Sequence, residues 1–238
     1  MQSVHRKHPV FSGKSYYLCP KLSRKKMKKI KTIVFDLGGV LIEYDREACV
    51  KKFRELGFDN AEELIGPYST AGCLLKLESG AIDREEFYKE LMQSAPRPIT
   101  VEQIDEAMYS FMLDIPEYKL DMLTDLRNRG YLLFMLSNTN PILMSLIKEQ
   151  RFTIQGKTID DYFDRLFLSY EMKAVKPHPE IFRQMIADTG IRPEESLFID
   201  DSAANIETGK ALGFNTYLAA PHEDFRSLFS QYEPFTKD

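Results

Sequence analysis

Four separated stretches carry the side chains that matter for chemistry. Residues 32–35 are apolar or β-branched and run into a lone carboxylate, Asp36, with Gly38 and Gly39 close behind. An apolar run over 131–136 stops at Ser137 and Asn138, and another over 196–199 stops at the pair Asp200 and Asp201. Lys176 stands before Pro177, just ahead of a helical pattern. A buried strand that stops on a polar residue presents it at the strand's carboxyl end, where open parallel α/β sheets bind their ligands. Asp36 with one or both of Asp200 and Asp201 makes a hard, oxygen-only site that suits Mg²⁺; without a cation the carboxylates repel one another. Lys176 adds a point positive charge and Ser137 a hydroxyl donor. Such a set is suited to hold a phosphoryl group while Asp36 attacks phosphorus to form an aspartyl-phosphate, with positioning and charge neutralisation supplying most of the rate.

Elements of two textures must position these groups. Strands are predicted at 32–35, 131–136, 166–168, 196–199 and 216–218, alternating after residue 116 with helices over 118–129, 141–150, 179–189 and 203–212. Strands that are continuously apolar rather than alternating, each followed by a helix, predict a parallel sheet covered on both faces. Between the first and second strands the pattern is helical throughout, over 46–56, 61–65, 71–78, 83–94 and 101–112, with Asp83 and Glu86 spaced as an N-cap pair. The expected organisation is therefore an α/β Rossmann-like core over 30–45 and 119–238, with an all-helical insert at 46–118.

Composition sets limits on partners. The 238 residues carry a net charge of −4, but residues 1–31 hold ten Lys or Arg and no acid, leaving the rest 22 basic and 36 acidic side chains. That acidic body argues against nucleic acid as a partner. No apolar run approaches the ~18–20 residues of a membrane span, and the basic head lacks the apolar stretch of a secretory signal. Residues 1–29 read as a disordered basic extension, with Met27-Lys28-Lys29-Ile30 resembling a natural start that runs into the first strand. Cys19, Cys49 and Cys73 form no disulfide pattern, which predicts reduced thiols and a cytoplasmic protein. Oligomeric state leaves no trace in the sequence.

The motifs D-L-G-G-V-L (36–41), L-S-N-T (136–139), V-K-P-H-P-E-I-F (175–182) and F-I-D-D-S-A-A-N-I (198–206) resemble, in order, those of the haloacid dehalogenase-like hydrolase superfamily. The insert lies where that family carries a helical cap, and L-E-S-G-A-I-D-R-E-E-F (77–87) resembles cap segments of its bacterial sugar-phosphate phosphatases. The resemblance implies a Mg²⁺-dependent phosphatase acting on a small phosphorylated metabolite. It implies Asp36 as nucleophile and metal ligand, and metal contacts from the Gly38 carbonyl, Asp201 and Asp200. Phosphate contacts are implied from Ser137, Asn138, Lys176, Gly38 and Gly39, with Asn205 in an outer position. The usual first motif is D-x-D, whose second Asp is the general acid, and Gly38 cannot take that part. General acid catalysis is typically worth ~10²–10⁴-fold, so the expectation is a preference for good leaving groups unless Glu43 or Asp45 stands in. Two rival readings share the motifs: 2-haloacid dehalogenation, which needs neither that acid nor a metal, and a non-catalytic phosphate-binding or regulatory protein.

Overall fold

The computed structural model describes residues 29–64 and 72–232. The predicted basic extension lies outside these residues except for its last position. Five strands, β1 (Thr32–Phe35), β2 (Leu132–Ser137), β3 (Arg165–Leu168), β4 (Ser196–Asp200) and β5 (Asn215–Leu218), form one sheet in the order β3-β2-β1-β4-β5. Every neighbouring pair is parallel. Alternate residues of β1 enter two different cores. Ile33 and Phe35 join a large cluster with Leu133, Met135, Leu197 and Ile199. Val34 joins Phe134, Leu136, Phe167, Phe198 and Phe182 on the other face. Burial on both faces is why these strands read as unbroken apolar runs. The chain moves outward from β1 through β2 to β3, then returns to place β4 against β1's other edge. That reversal is a topological switch point, where side chains from the loops after β1 and β4 converge.

Helices α6 (Glu117–Asn128), α7 (Pro141–Leu146), α8 (Ile159–Tyr162), α9 (Ser169–Met172), α10 (Pro179–Thr189) and α11 (Ala203–Ala211) accompany the sheet. The sequence analysis lacks α8, α9 and a closing 3₁₀ segment at Phe225–Gln231; two are single turns and the third has no helical period. Between β1 and β2 the described residues form α1 (Arg46–Glu55), α2 (Ala61–Leu64), α3 (Cys73–Glu78), α4 (Arg84–Ser94) and α5 (Val101–Tyr109). The predicted cap pair is present: Asp83 accepts from the Glu86 amide at 2.8 Å, and Glu86 accepts from the Asp83 amide at 3.4 Å.

The chain enters and leaves the insert through a short antiparallel cross-tie. The Asp45 amide donates to the Phe111 carbonyl at 2.8 Å, and the Leu113 amide to the Glu43 carbonyl at 3.0 Å. The insert also touches the sheet's carboxyl edge. Ser169 Oγ donates to the Glu78 carbonyl at 2.6 Å and accepts from the Thr139 amide at 3.0 Å, so one hydroxyl joins α3, the loop after β2 and the start of α9. Arg84 donates to the Pro141 carbonyl at 2.9 Å beside it. Gly80, at φ +66°, lies so close to the Tyr170 carbonyl that a Cβ there would collide with it.

The Glu78 carboxyl at this seam has no hydrogen-bond or ion-pair partner among the described residues, and burial pushes its pKa up to about 7. An acid raised on folding contributes stability below its unfolded pKa, near 4.5, and loses it as pH rises through 7. Glu78→Gln should therefore match the wild type near pH 4.5 and exceed it by on the order of 2 kcal/mol at pH 8, read from urea unfolding at both pH values. A difference independent of pH would show that the carboxyl is not held neutral.

Candidate active site

Asp36 is the first residue past β1, and its amide continues the ladder to the Ile199 carbonyl at 2.8 Å. The chain then turns within one residue. The amides of Leu41 and Ile42 both return to the Leu37 carbonyl at 2.9 Å, and the Gly39 amide meets the Ile42 carbonyl at 2.8 Å. Buried Lys119 of α6 ties this turn down by donating to the Val40 carbonyl at 2.6 Å. Gly39 is required twice. Its φ of +72° is a left-handed conformation, and a Cβ would run into the Asp201 carboxylate. Gly38 is different: its φ is ordinary, and an added Cβ would have the Tyr44 ring as nearest neighbour at 3.6 Å.

The strand register brings the other groups to the same edge. Phe35 pairs with both Met135 and Ile199, so Ser137 and Asp200 end the two strands that flank Asp36. Lys176 arrives from the loop before α10, held by Asn138. The Asn138 carboxamide accepts from the Lys176 amide at 2.8 Å and donates to the Lys176 carbonyl at 2.9 Å. The Lys176 ammonium, its side chain 0% exposed, sits 2.9 Å from Asp36 Oδ1 and 2.7 Å from Asp200 Oδ2. Burial works against its charge, but the carboxylates of Asp36 and Asp200 outweigh burial and raise its pKa. Asp200 is fully engaged, since its Oδ1 accepts from Asn205 Nδ2 at 2.9 Å and from the Ser202 amide at 2.8 Å.

Asp36 Oδ1 also accepts from the Leu37 amide at 2.7 Å. Oδ2 has no protein donor among the described residues. Asp36, Asp200 and Asp201 offer oxygens all within 4.8 Å of one another. Burial first, then Asp200 and Asp201, push Asp36 up to about 7 despite the opposing pull of Lys176. Burial and Asp200 likewise raise Asp201. One ammonium thus faces three carboxylates, and the electrostatics favour a further cation. The donor set fits a hard divalent ion: all oxygen, tightly spaced, with Asp36 Oδ2 and the half-buried Asp201 carboxylate having capacity to spare.

The sequence-derived set therefore meets at one rim, with its members in different situations. Asn138 spends its side chain on the Lys176 backbone, which leaves only its main chain free for an anion. Glu43 and Asp45, the two acids considered in place of Gly38, are committed elsewhere. Asp45 caps α1 through the Ala48 amide at 2.9 Å, and Glu43 lies 3.5 Å from the Lys119 ammonium and 3.4 Å from His222 Nδ1. His178 is exposed at the N-cap of α10. Sequence reasoning missed Tyr44, whose ring lies beside Gly38, and Ser169, which fixes the loop after Ser137. An isolated tyrosine and a serine opening a one-turn helix carry no linear signal.

Three variants test this geometry. Lys176→Met leaves Asp36 and Asp200 buried without their counter-charge. It should cost about 3–5 kcal/mol in urea unfolding at pH 8, and less at pH 5, where Asp36 holds a proton. Gly39→Ala displaces Asp201 and should weaken Mg²⁺ binding, measured by titration calorimetry, by about tenfold or more; Gly38→Ala should leave it nearly unchanged. Equal effects of the two glycine variants would contradict the placement of Asp201.

Residues 30–213 match the family model described as haloacid dehalogenase-like hydrolase. The chain is 40% identical over 197 residues to the D-ribitol-5-phosphate phosphatase of Bacteroides thetaiotaomicron, covering 83% of this chain and 95% of that protein. A crystal structure of a wild-type HAD family enzyme from Bacteroides thetaiotaomicron, in complex with magnesium and inorganic phosphate, superposes with a TM-score of 0.79 at 42% identity, covering 84% of this chain and 99% of that one. The L-2-haloacid dehalogenase of Xanthobacter autotrophicus shares the fold at a TM-score of 0.54 and 21% identity, covering 84% of this chain and 81% of that one. With the match running from the strand before Asp36 to past the helix after Asp201, this chain belongs to the haloacid dehalogenase-like hydrolases.

Proposed function

We propose that this protein is a Mg²⁺-dependent phosphatase that hydrolyses a small sugar or polyol phosphate through an aspartyl-phosphate on Asp36. The observation that carries the reading is the Lys176 ammonium held between Asp36 and Asp200, with Asp36 Oδ2 left without a protein donor beside a three-carboxylate cluster. A purely structural ion pair does not need the third carboxylate. Similarity to the D-ribitol-5-phosphate phosphatase supports the substrate class, and the magnesium and phosphate of the related crystal structure support the cofactor.

In this reading an Asp36 carboxylate oxygen attacks phosphorus, the bond from phosphorus to the sugar or polyol oxygen breaks, and that oxygen takes its proton from water because Gly38 supplies no acid, while Lys176 and the Leu37 amide hold the carboxylate in place. Bound Mg²⁺ supplies charge neutralisation on the phosphoryl oxygens and holds the carboxylates ionised. Asp36, Asp201 and the Gly38 carbonyl hold it; Asp200, already engaged by Lys176, Asn205 and the Ser202 amide, acts from behind Asp201. Lys176, the Ser137 hydroxyl and the main-chain amides near Gly39 and Asn138 take the phosphoryl oxygens. Oriented donors in a water-poor site act on the charge that develops there. Water then hydrolyses the acyl phosphate.

Residues 46–118 act as a cap over the core of 30–45 and 119–238, shielding the site and selecting the substrate. The two-chain crossing at 43–45 and 111–113 gives the cap a narrow attachment. The free thiols at Cys49 and Cys73 fit the reducing cytoplasm as the place of action. Among the described residues no helix is long and apolar enough to cross a membrane.

Phosphate release across a panel of sugar and polyol phosphates with Mg²⁺, beside Asp36→Asn, tests the proposal. Turnover of at least one member should fall to the no-enzyme background in the variant and on chelation. Activity that persists in Asp36→Asn, or turnover of a 2-haloacid without Mg²⁺, would sink it. Because Gly38 supplies no acid, the rate should depend steeply on leaving-group pKa over a graded ester series; a flat series would reveal another proton donor.

A further inference from the structure

The loop after β2 carries the proposed phosphate contacts, and one buried hydroxyl holds it. Ser137 pairs with Leu168 across β2 and β3, so Ser169, the next residue along, stands beside that loop at the same sheet edge. Ser169 is 0% exposed, and Ser137 and Thr139 are buried with it. Its Oγ accepts from the Thr139 amide at 3.0 Å. Two carbonyls lie within reach of its proton, that of Glu78 at 2.6 Å and that of Thr139 at 3.0 Å. A hydroxyl has a single proton, so it donates to one carbonyl at a time. The shorter contact takes it, and the Thr139 carbonyl is a ready second acceptor.

The hold extends to Lys176. Asn138 stands between Ser137 and Thr139, and its carboxamide accepts from the Lys176 amide at 2.8 Å and donates to the Lys176 carbonyl at 2.9 Å. Fixing Thr139 therefore steadies the residue that carries Lys176 to Asp36, 2.9 Å from its ammonium. The insert grips the same loop at a second point, where Arg84 donates to the Pro141 carbonyl at 2.9 Å. That contact lies beyond Asn140, whose side chain accepts from the Leu143 amide at 3.0 Å and so begins α7. Arg84 thus holds the start of the helix, and Ser169 the end of the strand. Removing the Ser169 hydroxyl leaves the buried Thr139 amide without its acceptor. A buried donor stranded in this way costs its full desolvation penalty, and the loop relieves that cost by shifting.

We propose that Ser169 is a positioning residue for phosphate: its buried hydroxyl fixes Thr139, and through it the main chain of Ser137 and Asn138 and the placement of Lys176, where the phosphoryl oxygens bind. This role rests on the phosphate site proposed above, but its principal test does not need turnover. Among the described residues, Ser169 hydrogen-bonds none of the three carboxylates of the cation site.

Titration calorimetry with inorganic phosphate in the presence of Mg²⁺ reads the loop without a phosphate ester. Ser169→Ala should weaken phosphate binding by about 5–10-fold, the worth of one hydrogen bond, while Mg²⁺ binding measured without phosphate matches the wild type. Arg84→Met, which releases the Pro141 carbonyl and leaves the hydroxyl in place, should bind phosphate as the wild type does. Circular dichroism should show both variants folded. In the wild type, the Thr139 amide should exchange with deuterium as slowly as those of β2. Unchanged phosphate affinity in Ser169→Ala overturns the proposal even where urea unfolding shows lower stability, because the hydroxyl would then serve packing alone. An equal loss in Arg84→Met also overturns it, since any loosening of the seam would then suffice. So does a fast-exchanging Thr139 amide in the wild type, a measurement that needs no variant to fold. If the wild type binds phosphate with Mg²⁺ but hydrolyses no ester, the proposed activity fails while the affinity comparison still decides the part played by Ser169.

Discussion

The buried Lys176 ammonium organises this protein. The Lys176 side chain lies fully inside, and its two carboxylate partners make that position tolerable. Desolvating a charge costs several kcal/mol, recovered only when geometry is good and the remaining lone pairs find donors. Both conditions are met at Asp200, and Asp36 meets the second through Oδ1 alone, which accepts from the Leu37 amide as well as from the ammonium. The arrangement also stops short of balance. Asp201 adds a third carboxylate, and burial first, then this surplus of negative charge, raise the pKa of Asp36. A site held together this way favours a divalent ion, whose charge would favour the ionised form of Asp36.

The rest of the fold serves to bring these groups within reach. Three adjacent parallel strands deliver Ser137, Asp36 and Asp200, and the loop before α10 delivers Lys176 along the rail formed by Asn138. The turn after Asp36 can be tight because Gly39 takes a positive φ and leaves room for Asp201. Lys119 then locks the turn from below. Each of these is a second layer of support, and each explains a residue whose polarity is otherwise out of place in a buried position.

Fold and chemistry separate cleanly here. The L-2-haloacid dehalogenase shares the architecture, so architecture alone does not choose between carbon–halogen and phosphorus–oxygen cleavage. Gly38 is the point of tension: it removes the usual acid although the backbone there would accept a side chain. A primary-alcohol phosphate, such as the one for which the similar D-ribitol-5-phosphate phosphatase is named, is the harder case for a site of this kind. The Tyr44 ring lies beside Gly38, where related motifs place a carboxylate.

Much of this was legible in the linear chain, because burial on both faces of a parallel sheet forces long apolar runs and sharp polar stops. Those stops mark strand ends, and strand ends share an edge. The five strands, the long helices and the identities of Asp36, Ser137, Lys176, Asp200 and Asp201 follow from that reasoning, helped by the order of the motifs. Periodicity does not reveal single-turn helices such as α8 and α9, which tertiary contacts hold in place. Division of labour was likewise beyond the sequence. That the Asn138 side chain grips the Lys176 backbone, that Glu43 and Asp45 have other partners, and that the Tyr44 ring lies beside Gly38 depend on side-chain directions set only when distant segments pack together. Residue type at a strand end is local information; which oxygen remains free after every neighbour has taken its hydrogen bond is a property of the assembled site.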